Sequence, residues 1–390
     1  MRGQLQVVLD ASEGFPLVAG LPSSVRAARA SGEALRAAKV VVLSDPEAFT
    51  ARWGSRLCEL PWASAPAGDP RALKELLSPR GAVLALAGGC APDAAALKAF
   101  VDAAERSASP SLLVAHGQTL AAYHPDAGRL REALPDAASW DPARLLSAEG
   151  ALRVEVDGGW PLARDAASAR ALEDRLFAAL PQSTDGYIAR FDRTFSMALS
   201  RRLLPLPVTP NAVTTFSLLL GLLGAALLVS LSYPLQVFGA VLLWSCCILD
   251  GCDGEIARLK LMCSRAGGLY DVWADNIVHA AIFVALPLHV ARIHPETDFR
   301  FSGALLLSGF LLSAFWVWRL VLSRPKSERG ELGLIVERVA SRDFIYIILL
   351  LTVLRRLEWF VWTAAIGSHL FWLALLGARS LERRRAPAAS

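Results

Sequence analysis

The chain has 390 residues, 54% of them apolar, with a formal net charge of +4 and a mean hydropathy of +0.40. That apolar share exceeds the usual soluble range, which excludes a wholly soluble globular protein, and the length suffices for two domains. The small positive charge gives no ground for a nucleic-acid partner, because Lys and Arg cluster beside apolar segments, where they point to lipid headgroups and membrane orientation.

Residues 1–180 are Ala-rich, mixed in charge and broken by Pro and Gly. No cleavable signal peptide is expected, since the apolar start at Met1–Leu9 is short and soon meets Asp10, Ser12 and Glu13. Leu5–Leu9, Val40–Leu43, Ala82–Leu86 and Leu112–Val114 are expected to be buried strands, each followed by an Ala-rich stretch of helical periodicity. This alternation predicts a layered α/β domain, cytosolic, with a mostly parallel sheet. Cys58, Cys90, Cys246, Cys247, Cys252 and Cys263 show no C-x2-C spacing and read as reduced, small apolar residues.

From Asp185 to Leu204, Tyr, Ile, Phe, Met and Leu alternate with arginines at helical spacing. Residues 181–206 therefore read as an amphipathic juxtamembrane helix in the headgroup region, with an ordinary interdomain helix as the alternative. Thr209-Pro210-Asn211 supplies cap chemistry for the helix that follows. Residues 207–390 hold six apolar segments, at 213–232, 234–250, 267–290, 302–323, 343–354 and 359–377, which predict an all-α integral membrane domain of six transmembrane helices. The fifth is short, and Val336–Ala340 is its expected extension. One set of alternate connections is rich in Lys and Arg, from Arg190 through Arg258 and Arg265 to Arg342 and Arg379, whereas the other holds Arg292, Arg300, Arg355 and Arg356. Both termini and the stretch from Asp250 to Asp275 are therefore expected on the cytoplasmic side of the cell inner membrane.

Asp250 and Asp253 stand three apart and Asp271 and Asp275 four apart, so each pair projects from one face of its own helix. Two such faces brought together make a four-carboxylate site. Carboxylates beside membrane helices need neutralising, and an all-oxygen donor set suits Mg2+, Mn2+ or Ca2+ rather than zinc. A lone Asp-x-x-Asp is ordinarily a helix cap or a solvated face. Here Gly254 and Ala257 follow Asp250 on the same face and leave room for a phosphate-bearing ligand.

Asp250-x2-Asp253-Gly254-x2-Ala257-Arg258-x8-Gly267-x3-Asp271-x3-Asp275 resembles the signature of the CDP-alcohol phosphatidyltransferase family at every fixed position. The resemblance implies an integral membrane enzyme that transfers a substituted phosphate group from a CDP-alcohol donor to the hydroxyl of a polar alcohol acceptor, releasing CMP. It implies two divalent ions, Mg2+ or Mn2+, on Asp250, Asp253, Asp271 and Asp275, with Asp275 as general base. It implies CDP binding by Asn211, Thr214, Asp250, Asp253, Gly254, Ala257, Arg258 and Gly267, contact with membrane lipid, and a homodimer. An inositol-phosphate acceptor would need cations, for which Arg265, Arg319 and Arg342 are the candidates. His279, four residues after Asp275, is either a partner of the site or a packed histidine.

The whole-chain layout resembles proteins that fuse an inositol-phosphate cytidylyltransferase to a di-myo-inositol-phosphate-phosphate synthase. The first half departs from the nucleotidyltransferase pattern, because its first strand leads into Asp10-Ala-Ser-Glu-Gly-Phe-Pro16 with one glycine, and Gly88-Gly89-Cys90 stands where such enzymes place a metal-binding Asp. Residues 1–180 are accordingly read as an inactive relative kept for assembly, stability or regulation. Two other readings stay open: a divalent-cation transporter, and a membrane-anchored cytidylyltransferase.

Overall fold

The computed structural model describes residues 5–11, 15–67, 69–115, 118–133, 151–155, 160–181, 187–296, 300–323 and 344–385. The chain divides into two compact units, residues 1–180, with which Leu259–Leu261 are grouped, and residues 181–258 with 262–390.

The first unit runs β1 (Gln6–Asp10), α1 (Ser23–Leu35), β2 (Lys39–Leu43), α2 (Pro46–Trp53), β3 (Trp62–Ala65), α3 (Pro70–Leu76), β4 (Val83–Leu86), α4 (Ala94–Ser107), β5 (Ser111–Ala115), β6 (Gln118–His124), α5 (Ala127–Ala133), β7 (Leu152–Glu155) and α6 (Ala166–Ala178). One sheet joins the strands in the order β3-β2-β1-β4-β6-β5-β7. The four expected strands are present. The sheet is larger than expected, however, and β6 pairs antiparallel with both β4 and β5 while the remaining pairings are parallel. The apolar runs are continuous because both faces are covered. Val7 and Leu9 of β1 pack with Val25 of α1 and Leu97 and Phe100 of α4, whereas Val8 packs with Leu73 and Leu77 and with Ala127 and Leu130 of α5.

The second unit is helical: α7 (Tyr187–Leu203), α8 (Pro210–Leu228), α9 (Tyr233–Leu259), α10 (Arg265–Ile293), α11 (Arg300–Val317), α12 (Phe344–Val353) and α13 (Leu357–Arg385). Thr209 caps α8 by accepting from the Ala212 amide, with Pro210 at the first helical position, and Ser264 caps α10 by accepting from the Gly267 amide. The backbones of α8 and α9 come close at Gly224 and Gly239. A Cβ on Gly224 would lie 2.9 Å from the Gly239 carbonyl oxygen, so only glycine permits this approach.

Among the described residues five helices, α8, α9, α10, α11 with its continuation, and α13, are long and apolar enough to cross a membrane. The six-span expectation is met only in part. The described α12 has 10 residues, which rise about 15 Å against a hydrocarbon core of about 30 Å. Its expected extension at Val336–Ala340 lies outside the described residues. After Val317, α11 continues as a π-helical turn, Trp318–Leu322, that contains Arg319.

Candidate active site

Asp250 lies about two thirds of the way along α9, and Asp271 and Asp275 lie in the first half of α10. These three carboxylates each offer one oxygen, and the three oxygens lie within 4.8 Å of one another. Oδ1 of Asp271 is buried with no hydrogen-bond partner. Such a group is costly to leave in place, so the site fits a hard cation that completes its coordination.

Asp253, 5% exposed, is the fourth acid of the pattern. Its Oδ2 accepts a hydrogen bond from the hydroxyl of Thr214, a residue 3% exposed in the second turn of α8. The Pro210 carbonyl lies 3.2 Å from the same hydroxyl, but one proton serves one acceptor strongly, and the carboxylate is the stronger. Asp253 is also an electrostatic neighbour of Asp271 and Asp275. The acids of both helices thus share one locus.

The small signature residues have visible neighbours. The Arg258 guanidinium lies 3.6 Å from where a Gly254 Cβ would stand, and Asn211 Oδ1 lies 3.3 Å from the corresponding point on Gly267. Asn211 is exposed and Ala257 half-buried. Thr215 and Tyr270 exchange a hydroxyl hydrogen bond of 2.8 Å, a second tie between α8 and α10 that the sequence pattern did not flag. His279 packs edge-on against Phe344 at 5.1 Å, and Cys252 is fully buried. Arg265 and Arg319 are exposed, and Arg342 lies outside the described residues.

Residues 207–377 match the family model described as CDP-alcohol phosphatidyltransferase. The chain is 31% identical over 254 residues to a bifunctional IPC transferase and DIPP synthase of Archaeoglobus fulgidus, a match that covers 61% of this chain and 46% of that protein. It spans less than half the length of the curated relatives it matches. Among solved structures, it is similar to the phosphatidylinositol phosphate synthase of Mycobacterium tuberculosis with CDP-DAG bound, at 22% identity and a TM-score of 0.34 over 47% of this chain and 92% of that one. It is also similar to 4-diphosphocytidyl-2C-methyl-D-erythritol synthase of Anaerococcus prevotii, at 8% identity and a TM-score of 0.37 over 45% of this chain and 99% of that one. The matched span contains the aspartates, the glycines and Arg258 of the site, so residues 207–377 form a CDP-alcohol phosphatidyltransferase domain.

Proposed function

We propose that this protein transfers a substituted phosphate group from a CDP-alcohol to the hydroxyl of a second alcohol and releases CMP. The observation that carries the reading is the convergence of Asp250, Asp271 and Asp275 within 4.8 Å, with a buried, unpartnered oxygen on Asp271. Asp250, Asp253, Asp271 and Asp275 would hold two divalent ions, Mg2+ or Mn2+. Bound there, such ions supply charge neutralisation for the pyrophosphate and for the departing CMP.

The chain's own groups account for the remaining steps. Asp275 accepts the proton of the acceptor hydroxyl as its oxygen bonds to the phosphorus that carries the donor alcohol; the bond from that phosphorus to the CMP oxygen breaks. Thr214 fixes the rotamer of Asp253 through its hydrogen bond. Gly254, Ala257, Gly267 and Asn211 leave space for the cytidine diphosphate, and Arg258 supplies a guanidinium beside it. Arg265 and Arg319, with Arg342, are assigned to the acceptor phosphate, an assignment supported by the inositol-type activity named for the curated relatives.

In this reading α12 completes a sixth span, both termini and the aspartates face the cytoplasm, α7 lies in the headgroup layer, and the protein is a homodimer, as the family resemblance implies. Residues 1–180 do not turn over nucleotide. Support comes from the crevice between the carboxyl ends of β1 and β4, the switch point where sheets of this kind take ligands. The Phe15 ring packs there against the residues that follow β4: a Cβ on Gly88 would lie 2.4 Å from it, and one on Gly89 2.8 Å.

The test is a donor and acceptor screen on the purified full chain. CDP-inositol and CDP-diacylglycerol are each offered with inositol phosphate and with inositol, and CMP is followed. Metal- and acceptor-dependent CMP release with one pair supports the reading. Divalent-cation flux into proteoliposomes without nucleotide, and no CMP from any pair, would replace it with a transporter.

A further inference from the structure

Glu255 sits at a variable position of the signature, two residues beyond Asp253 and therefore about 200° round α9 from it. It is 1% exposed. Buried carboxylates in a membrane domain are held for a reason, and this one is held by α7. Oε1 of Glu255 accepts a 2.6 Å hydrogen bond from Ser196, and the Arg193 guanidinium lies 3.9 Å from the same oxygen. The backbones are close at this point, because a Cβ on Gly251 would lie 3.1 Å from the Ser196 Cβ. One turn earlier, Asp192 of α7 accepts from the Tyr346 hydroxyl of α12, which itself accepts from Trp244 Nε1 of α9 at 2.9 Å. Thus α7 grips the back of α9 while Asp250 and Asp253 work on its front.

We propose that Glu255 is a positioning residue for the transfer reaction: through Ser196 and Arg193, α7 fixes the roll of α9 and with it the placement of Asp250 and Asp253 against Asp271 and Asp275. The inference rests on the transferase reading above. A carboxylate oxygen stands roughly 6 Å from its helix axis, so a 10° roll moves it roughly 1 Å, a displacement that costs up to about 100-fold in rate. Neither Ser196 nor Glu255 needs to touch substrate for this.

The experiment uses the full chain in lipid nanodiscs, with CMP release as one readout and Mn2+ binding by paramagnetic resonance as the other. Glu255→Ala is expected to lower kcat at least about 30-fold and to weaken Mn2+ binding about tenfold, while the donor KM moves less than about threefold. Glu255→Gln keeps the acceptor for the Ser196 hydroxyl and is expected to recover kcat to within about threefold of wild type. Ser196→Ala removes a single oxygen, so it remains informative if Glu255→Ala does not fold, and it is expected to lower kcat about 5- to 10-fold. Equal defects in the Gln and Ala variants, or wild-type kcat in Ser196→Ala, would overturn the positioning role. Asp271→Asn separates the two claims. If it abolishes CMP release while Glu255→Ala behaves as wild type, the positioning role is wrong and the transferase stands; if it releases CMP undiminished, the reading beneath both is wrong.

Discussion

The hydroxyl of Thr214 and the carboxylate of Asp253 are joined by a buried hydrogen bond that ties the second turn of α8 to the last third of α9. The bond consumes one oxygen of Asp253, whose carboxylate also interacts with Asp271. Thr214→Val keeps the shape and removes the donor, so Asp253 gains a free rotamer and an unsatisfied oxygen. CMP release is expected to fall about tenfold, corresponding to about 1.4 kcal/mol, with Thr214→Ser near wild type. Equal losses in both variants would mean that packing, not the hydroxyl, matters at this position.

The contact between α8 and α9 depends on two glycines. A methyl at Gly239 would stand 2.8 Å from the Gly224 carbonyl oxygen and 2.9 Å from the Leu227 Cβ. Gly239→Ala must therefore push the helices apart, and overpacking of this kind costs about 1–3 kcal/mol. A lowered melting midpoint of the detergent-solubilised protein is the expected outcome; an unchanged midpoint would show that the helices meet elsewhere.

Cys90 separates the buried from the exposed thiols of the first unit. Burial pushes its pKa from the ordinary 9.0 up to about 12, whereas Cys58 is exposed. The thiolate is the reactive form, so N-ethylmaleimide at pH 8 is expected to label Cys58 and to reach Cys90 only after unfolding. Because the folded thiol ionises later than the unfolded one, its contribution to stability is complete below pH 9 and is lost as pH rises towards 12. Peptide mass spectrometry of the labelled chain reads the first effect, and rapid native labelling of Cys90 would contradict it.

The legible parts of the sequence were those with an unbroken local period. Apolar β1, β2 and β4 are buried on both faces and were readable as strands, but β3 is Trp-Ala-Ser-Ala, with no strand pattern, and β7, Leu-Arg-Val-Glu, alternates over only four residues. The span count was less legible, because α12 has 10 described residues and its apolar content alone does not give length. Three- and four-residue spacings placed each aspartate pair on one helix. What spacing could not reveal was the pairing of Ser196 with Glu255, which lie 59 positions apart, or of Thr215 with Tyr270 across 55. Tertiary partners of polar residues leave no periodic trace in a single sequence.

Arg319 is exposed within the π-helical turn after α11. Such turns interrupt the regular ladder and often mark functional positions. If Arg319 binds the acceptor phosphate, Arg319→Ala is expected to raise the acceptor KM about tenfold, about 1.4 kcal/mol, with the donor KM nearly unchanged. Steady-state kinetics with both substrates varied checks this, and equal effects on the two would assign the arginine to orienting the helix instead.

In the proposed reaction the carboxylates of α9 and α10 act as one metal-dependent centre for CMP release. The most direct measurement is single-turnover CMP release by the purified chain, wild type beside Asp271→Asn and Asp275→Asn, across an Mg2+ titration with the donor and acceptor pair that the screen selects. Both substitutions keep size and remove charge. Mg2+-dependent release by the wild type is expected, with a loss of at least about a thousandfold in each variant, corresponding to about 4 kcal/mol or more of transition-state stabilisation. Release at the wild-type rate by either variant, or release that ignores Mg2+, would contradict it.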